Sequence, residues 1–140
     1  MIYVDTSIIV SGITNEPVTE MVVAWLSRQP AGSLRTSDWV DTEVESALAI
    51  KARRLLISGE ERNDARAQWQ QLRAAGLLNI AVASAHFRSA TDLVARSATP
   101  LRAADALHLA IAVSGGCGVA TRDAEFAAAI EAAGVPLHFL

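Results

Sequence analysis

The chain has 140 residues, 51% of them hydrophobic, a formal net charge of −3 and one cysteine, which suits one folded domain over residues 1–140 and argues against disorder. The acidic balance does not mark a nucleic-acid binder by bulk charge, and the lone Cys117 excludes an internal disulfide. No apolar run approaches the length of a bilayer span, and Met1 to Asp5 lack the basic residues of a secretory leader, so the expected compartment is the cytoplasm, with no membrane partner.

"IYV" opens the chain as a short apolar run that ends at Asp5, the pattern of a buried strand. "SIIVSGI" continues apolar, and Pro17 can start a helix over Val18–Gln29. "SLRTSD" follows as a strand. From Trp39 the spacing turns helical: Val40, Val44, Ala47, Leu48 and Leu55 fall near one face, and Gly59 is the expected stop. Glu60–Ala75 is a second amphipathic helix with Trp69 and Leu72 inward and Gly76 after it. "LLNIAVA" is a strand and Ala85–Arg96 a helix. Thr99-Pro100 has the signature of a helix start, and that helix runs to about Val113 before "SGGCG" breaks it. "GVAT" is a strand, Asp123–Ala133 a helix closed by Gly134, and "PLHFL" a last strand. Alternation of this kind predicts an α/β fold, a three-layer sandwich with a mostly parallel central sheet, its site at the carboxyl ends of the strands.

Four acids occupy positions where burial is expected. Asp5 and Asp123 follow strands whose carboxyl ends share one edge of a parallel sheet. Glu43 lies among Val40, Val44 and Ala47. Asp105 sits in the second turn of its helix within "LRAADALHLAIA", with Leu101 and Leu109 on its face. Each has an ordinary reading: Asp5 and Asp123 as helix caps, Glu43 as a half-exposed helix acid. Together they raise a different question, because at 4 Å and an effective dielectric near 20 each like-charge pair costs about 4 kcal/mol. Either the pKa values rise or a cation sits among them. Oxygen ligands suit Mg²⁺ or Mn²⁺ rather than zinc, and such a metal is usual equipment for phosphodiester hydrolysis.

"VDTS", "DTEVESAL", "LRAADALHLAIA" and "ATRDAEF" resemble, in order and over nearly the whole chain, the four acidic motifs of PIN-domain ribonucleases, most closely the VapC toxins of VapBC toxin–antitoxin pairs. The resemblance implies a Mg²⁺- or Mn²⁺-dependent endoribonuclease with an RNA substrate, a homodimer and a cognate antitoxin. By position, Asp5, Glu43, Asp105 and Asp123 become the acidic catalytic residues, with Asp5, Asp105 and Asp123 holding the metal. Glu125 matches an acidic position of variable type. Thr6, Ser7 and Thr121 match hydroxyl positions that either orient a ligand or cap a turn.

Arg102 and Arg122 neighbour these acids and either hold flanking phosphates or form structural ion pairs. Arg62 and Arg66 belong to a basic run with Lys51, Arg53, Arg54 and Arg73 that is either a solvated face or a wall for phosphates. Trp39–Ala75, which carries that run, is the expected groove for an antitoxin segment. His108, three residues after Asp105, reads as a core histidine, and Trp25, Trp39 and Trp69 as packing. Ser7 stands where a haloacid-dehalogenase phosphatase needs a second Asp, and Lys51, the only lysine, is not the late strand-end lysine of a receiver domain. A catalytically silent PIN-like module binding RNA or protein, and a nuclease that prefers DNA, stay open.

Overall fold

The computed structural model describes Met1–Leu140. The elements in chain order are β1 (Ile2–Val4), α1 (Thr6–Ile13), α2 (Thr19–Ser27), β2 (Leu34–Ser37), α3 (Asp38–Arg53) and α4 (Gly59–Ala74). They continue with β3 (Leu78–Ile80), α5 (Ser84–Arg96), α6 (Ala103–Ser114), β4 (Gly118–Thr121), α7 (Ala124–Ala132) and β5 (Leu137–Phe139). The strands form one parallel sheet in the order β3-β2-β1-β4-β5.

That order carries the architecture. From β1 the chain steps outward through β2 to β3, then returns past β1 and steps the other way through β4 to β5. With right-handed crossovers, the first two connections lie over one face and the last two over the other. Accordingly α1 packs on α2, α3 and α4, while α5 packs on α6, giving the three layers expected. The direction reverses between β1 and β4, and a crevice at the carboxyl end of such a switch point is where open α/β sheets bind ligands.

β1 and β4 are central and covered on both faces, so they read as apolar runs without alternation. Tyr3, Val4, Val119 and Ala120 are fully buried. Register pairs Tyr3 with Val119 and Val4 with Ala120, and the Asp5 amide still reaches the Ala120 carbonyl at 3.0 Å. The two strands therefore end level. Gly118 allows β4 to start beside the chain entering β5: a Cβ there would lie 2.8 Å from the Pro136 carbonyl oxygen.

Three boundaries differ from the sequence expectation. Thr99-Pro100 does not open a helix; the Ser97 and Thr99 side chains and backbone close a turn on themselves. α6 begins at Ala103 after Arg102, which puts Asp105 in its first turn, not its second. Gly59 does not stop α3. That helix ends at Arg53, Leu55 takes a left-handed φ of 57°, and Gly59 opens α4 behind Ser58, whose side chain forms a reciprocal capping box with Glu61. "LLNIAVA" shortens to the three residues of β3, an edge strand with one neighbour.

Candidate active site

Asp5 leaves β1 and caps α1. Its Oδ2 accepts from the Ser7 hydroxyl at 2.6 Å, the Ser7 amide at 3.3 Å and the Thr121 hydroxyl at 2.8 Å. Both hydroxyls are set from behind, because Ser7 Oγ accepts from the Arg122 amide and Thr121 Oγ1 from the Asp123 amide. Each hydroxyl has one proton, and those amides leave it free to point at Asp5. Asp123 leaves β4 and caps α7, its Oδ1 accepting from the Glu125 and Phe126 amides at 2.8 and 3.1 Å. Capping therefore uses one oxygen of each aspartate and leaves the other, so the cap reading and the site reading are compatible.

Glu43 projects from α3. Its Oε2 accepts from the Thr6 hydroxyl at 2.6 Å and faces His108 Nε2 at 2.5 Å. Burial presses the Glu43 carboxyl upward, but the His108 and Thr6 hydrogen bonds and the imidazole charge outweigh it and hold the pKa below the ordinary range. Asp105, in the first turn of α6, is opposite in character. Its pKa is pushed up to about 6, chiefly by burial and then by the Asp123 and Asp5 charges; the charges of His108 and Arg102 offset this only in part.

These four acids line one shallow cleft of roughly 290 Å³ with Thr6, Ser7, Ser46, Ala47, Ile50 and His108. It lies at the switch point, roofed from one helical layer by α3 and from the other by α6. Ligand atoms of Asp5, Glu43 and His108 lie within 4.8 Å of one another. Two larger grooves elsewhere, about 570 and 640 Å³, are mostly apolar and carry no converging carboxylates.

The remaining candidates are placed as follows. Thr121 sits behind Asp5, fully buried. Glu125 points away and pairs with Arg102 at 2.6 Å in an exposed ion pair. Arg122 turns to the Ser11 hydroxyl at 2.6 Å and to Glu16. Arg62 and Arg66 both close on Glu45, outside the cleft, and hold that carboxyl well below the usual range, Arg66 contributing most. Trp69 belongs to the core and donates to Asp41 at 2.9 Å, while Trp25 and Trp39, partly buried, pack against that core.

His108 is the residue that sequence reasoning undervalued. It is 1% exposed, as a core histidine should be. Yet Nε2 bonds Glu43, lies 3.5 Å from Asp5 Oδ1, and Nδ1 meets the Tyr3 hydroxyl at 2.9 Å. Burial presses the imidazole toward neutrality, but the Glu43 hydrogen bond and the charges of Asp5, Glu43 and Asp105 raise its pKa on balance. Its only signal in the sequence was the i, i+3 spacing from Asp105.

Among solved structures, the chain is similar to FitAcB from Neisseria gonorrhoeae at 26% identity, with 100% of this chain and 97% of that one covered and a TM-score of 0.72. It is similar in fold to VapC20 of Mycobacterium tuberculosis, a toxin that cleaves the sarcin–ricin loop, at 19% identity, 92% and 95% coverage and a TM-score of 0.73. VapBC2 of Rickettsia felis, bound to a DNA fragment from its promoter, aligns over 99% and 98% at 15% identity and a TM-score of 0.69. Comparison with curated proteins finds no match. The sequence itself matches the PIN domain over residues 2–131, a span that contains all four cleft acids, and the chain belongs to the PIN domain family.

Proposed function

We propose that this protein is a metal-dependent endoribonuclease that hydrolyses RNA phosphodiester bonds as the toxin of a toxin–antitoxin pair. One observation carries the hydrolytic reading. Asp5, Asp123 and Glu43 each have one carboxylate oxygen hydrogen-bonded to protein donors and no hydrogen bond on the other, Asp5 Oδ1 lying 3.5 Å from His108 Nε2, and no side-chain or amide hydrogen bond reaches the Asp105 carboxyl. Four acids turned into one cleft with unmatched oxygens fit a hard divalent cation, Mg²⁺ or Mn²⁺. Asp5, Asp105 and Asp123 would hold it, and when bound it supplies Lewis-acid activation of a phosphodiester and of water. Ser7 and Thr121 fix the Asp5 carboxylate plane. Glu43, held below the usual carboxylate range, stays ionised at neutral pH, and its Oε1 accepts a proton from the attacking water.

The choice of RNA draws on the acidic-motif resemblance and on the sarcin–ricin-loop cleavage named for VapC20. The antitoxin draws on the neighbouring structures, which include a toxin–antitoxin complex from Klebsiella pneumoniae. The test is cleavage of bulk and defined RNA by purified protein. Mg²⁺ or Mn²⁺ should support cleavage, EDTA should stop it, and Asp5→Asn should abolish it. Cleavage that survives chelation and dialysis, or is unchanged in Asp5→Asn, overturns this reading.

A further inference from the structure

The core holds a polar chain that a packing role does not require. Ser37 Oγ lies 2.7 Å from Tyr3 Oη, Tyr3 Oη 2.9 Å from His108 Nδ1, and His108 Nε2 2.5 Å from Glu43 Oε2. Ser37 and Tyr3 are fully buried and His108 is 1% exposed. A leucine or phenylalanine at 108 would fill similar space without desolvating polar atoms.

We infer that His108 is a positioning residue for Glu43: braced by Tyr3 and Ser37, it holds Oε2 and so aims Oε1 into the cleft. The consequence for catalysis rests on the nuclease reading above; the geometric claim does not. Glu43 has three side-chain torsions, and a free carboxylate on α3 would sample many orientations. Two donors converge on the same oxygen from different elements, Thr6 from α1 and His108 from α6. Tyr3, Trp39 and Phe126 pack around the imidazole at centroid distances of 5.7, 6.5 and 6.2 Å, and hydrogen bonds at both ring nitrogens oppose its rotation.

The proton on Nε2 follows from the partners. Glu43 is an acceptor, so Nε2 must donate whether the ring is neutral or charged. In the neutral ring Nδ1 then accepts from Tyr3, and Ser37 donates to Tyr3. In the charged ring both donations reverse and the Nε2 bond stays.

The same geometry does not suit one ion shared by His108 Nε2 and Glu43 Oε2, although ligand atoms of Asp5, Glu43 and His108 do lie within 4.8 Å of one another. Two adjacent ligand atoms each about 2.1 Å from an octahedral ion sit about 3.0 Å apart. Nε2 and Oε2 are closer than that, so their contact is a hydrogen bond.

The test compares His108→Leu, which keeps volume and loses the donor, with His108→Gln, whose side-chain amide replaces Nε2–H, and with Tyr3→Phe. The first readout needs no catalysis: the Glu43 ¹³Cδ resonance in glutamate-labelled protein, assigned by its loss in Glu43→Gln. It should move or broaden in His108→Leu and stay near wild type in His108→Gln. An unmoved resonance in His108→Leu overturns the inference whether or not the protein cuts RNA.

The second readout uses a fluorophore–quencher RNA oligonucleotide with Mn²⁺. His108→Leu should lose about 10–100-fold in kcat, the usual range for residues that orient a site group, with KM little changed. His108→Gln should restore most of it, and Tyr3→Phe should fall between. Equal losses in Leu and Gln variants would make His108 a packing residue. Equal losses of Mn²⁺ affinity by calorimetry in both would make it a ligand. Either result overturns the inference. If wild type shows no metal-dependent cleavage, the nuclease reading fails and the resonance alone decides the positioning of Glu43.

Discussion

Asp105 differs from its three companions in having only the cleft to satisfy it. Asp5 and Asp123 are neutralised in part by hydroxyl and amide donors, Glu43 by Thr6 and His108. Asp105 is half-buried at the cleft, with its pKa pushed up to about 6 from an ordinary 3.8, while Leu101 lies outside α6 and with Leu109 lines a separate groove. The sign of the effect on stability follows. Between about pH 4 and 6 the folded protein keeps a proton that the unfolded chain has released, so this group costs stability as pH rises through that window. In EDTA, Asp105→Asn should match wild type near pH 4. Near pH 7 it should be more stable by about 1–3 kcal/mol, allowing for relaxation and solvent screening. Mn²⁺ should raise the wild-type Tm by mass action and the variant's by less. Thermal unfolding at both pH values, with and without Mn²⁺, checks this. A variant less stable than wild type at pH 7 in EDTA, with the same Mn²⁺ response, would make Asp105 a structural residue.

At the scale of elements, α3 does two jobs with opposite faces. Glu43 faces the cleft, while Glu45 and Asp41 fasten α4 through Arg62, Arg66 and Arg73. The basic run legible in the sequence is thus partly matched by acids of the preceding helix, which charge counting along one helix cannot reveal. The Glu45–Arg62–Arg66 group keeps one net positive charge, and we propose that flanking RNA phosphate meets it. Replacing both arginines by alanine should reduce the slope of log affinity against log salt by about one, with kcat unchanged. An RNA-binding titration across salt concentrations measures it, and an unchanged slope would leave the two arginines as a clasp between helices. The start of α6 teaches a similar lesson. Thr99 and Pro100 are good helix-opening residues, but a local turn closed by Ser97 competes for the same groups and wins. That delay puts Asp105 in the first turn of α6, where any preference of the helix start for negative charge is outweighed by burial and the Asp123 and Asp5 charges.

For the whole molecule, the order β3-β2-β1-β4-β5 brings residues from α1, α3, α6 and both central strand ends to one cleft. No helix is long and apolar enough to cross a membrane. Phe87, Val94 and Val113 on α5 and α6 are exposed, and we propose that a second copy covers them, in the homodimer the family resemblance implies. We expect an isologous pair. Light scattering should report about twice the 14.8 kDa chain mass, and a monomer at tens of micromolar protein would remove the dimer.

The sequence by itself determined the alternation of strands and helices, the buried character of β1 and β4, and the positions of the four acids. These depend on neighbours a few residues apart: apolar runs, helical periodicity and strand-end carboxylates. It did not determine the meeting of Glu43 with His108, 65 residues apart, nor the chain behind them to Tyr3 and Ser37. It also left open whether Arg62 and Arg66 were free, and it started α6 at Pro100 where the helix begins at Ala103. Those outcomes were decided by which strands became neighbours and by which donors then competed for each oxygen. A hydrogen bond between distant segments exists only once the sheet order has brought them within about 3 Å, and no local pattern in the chain encodes that distance.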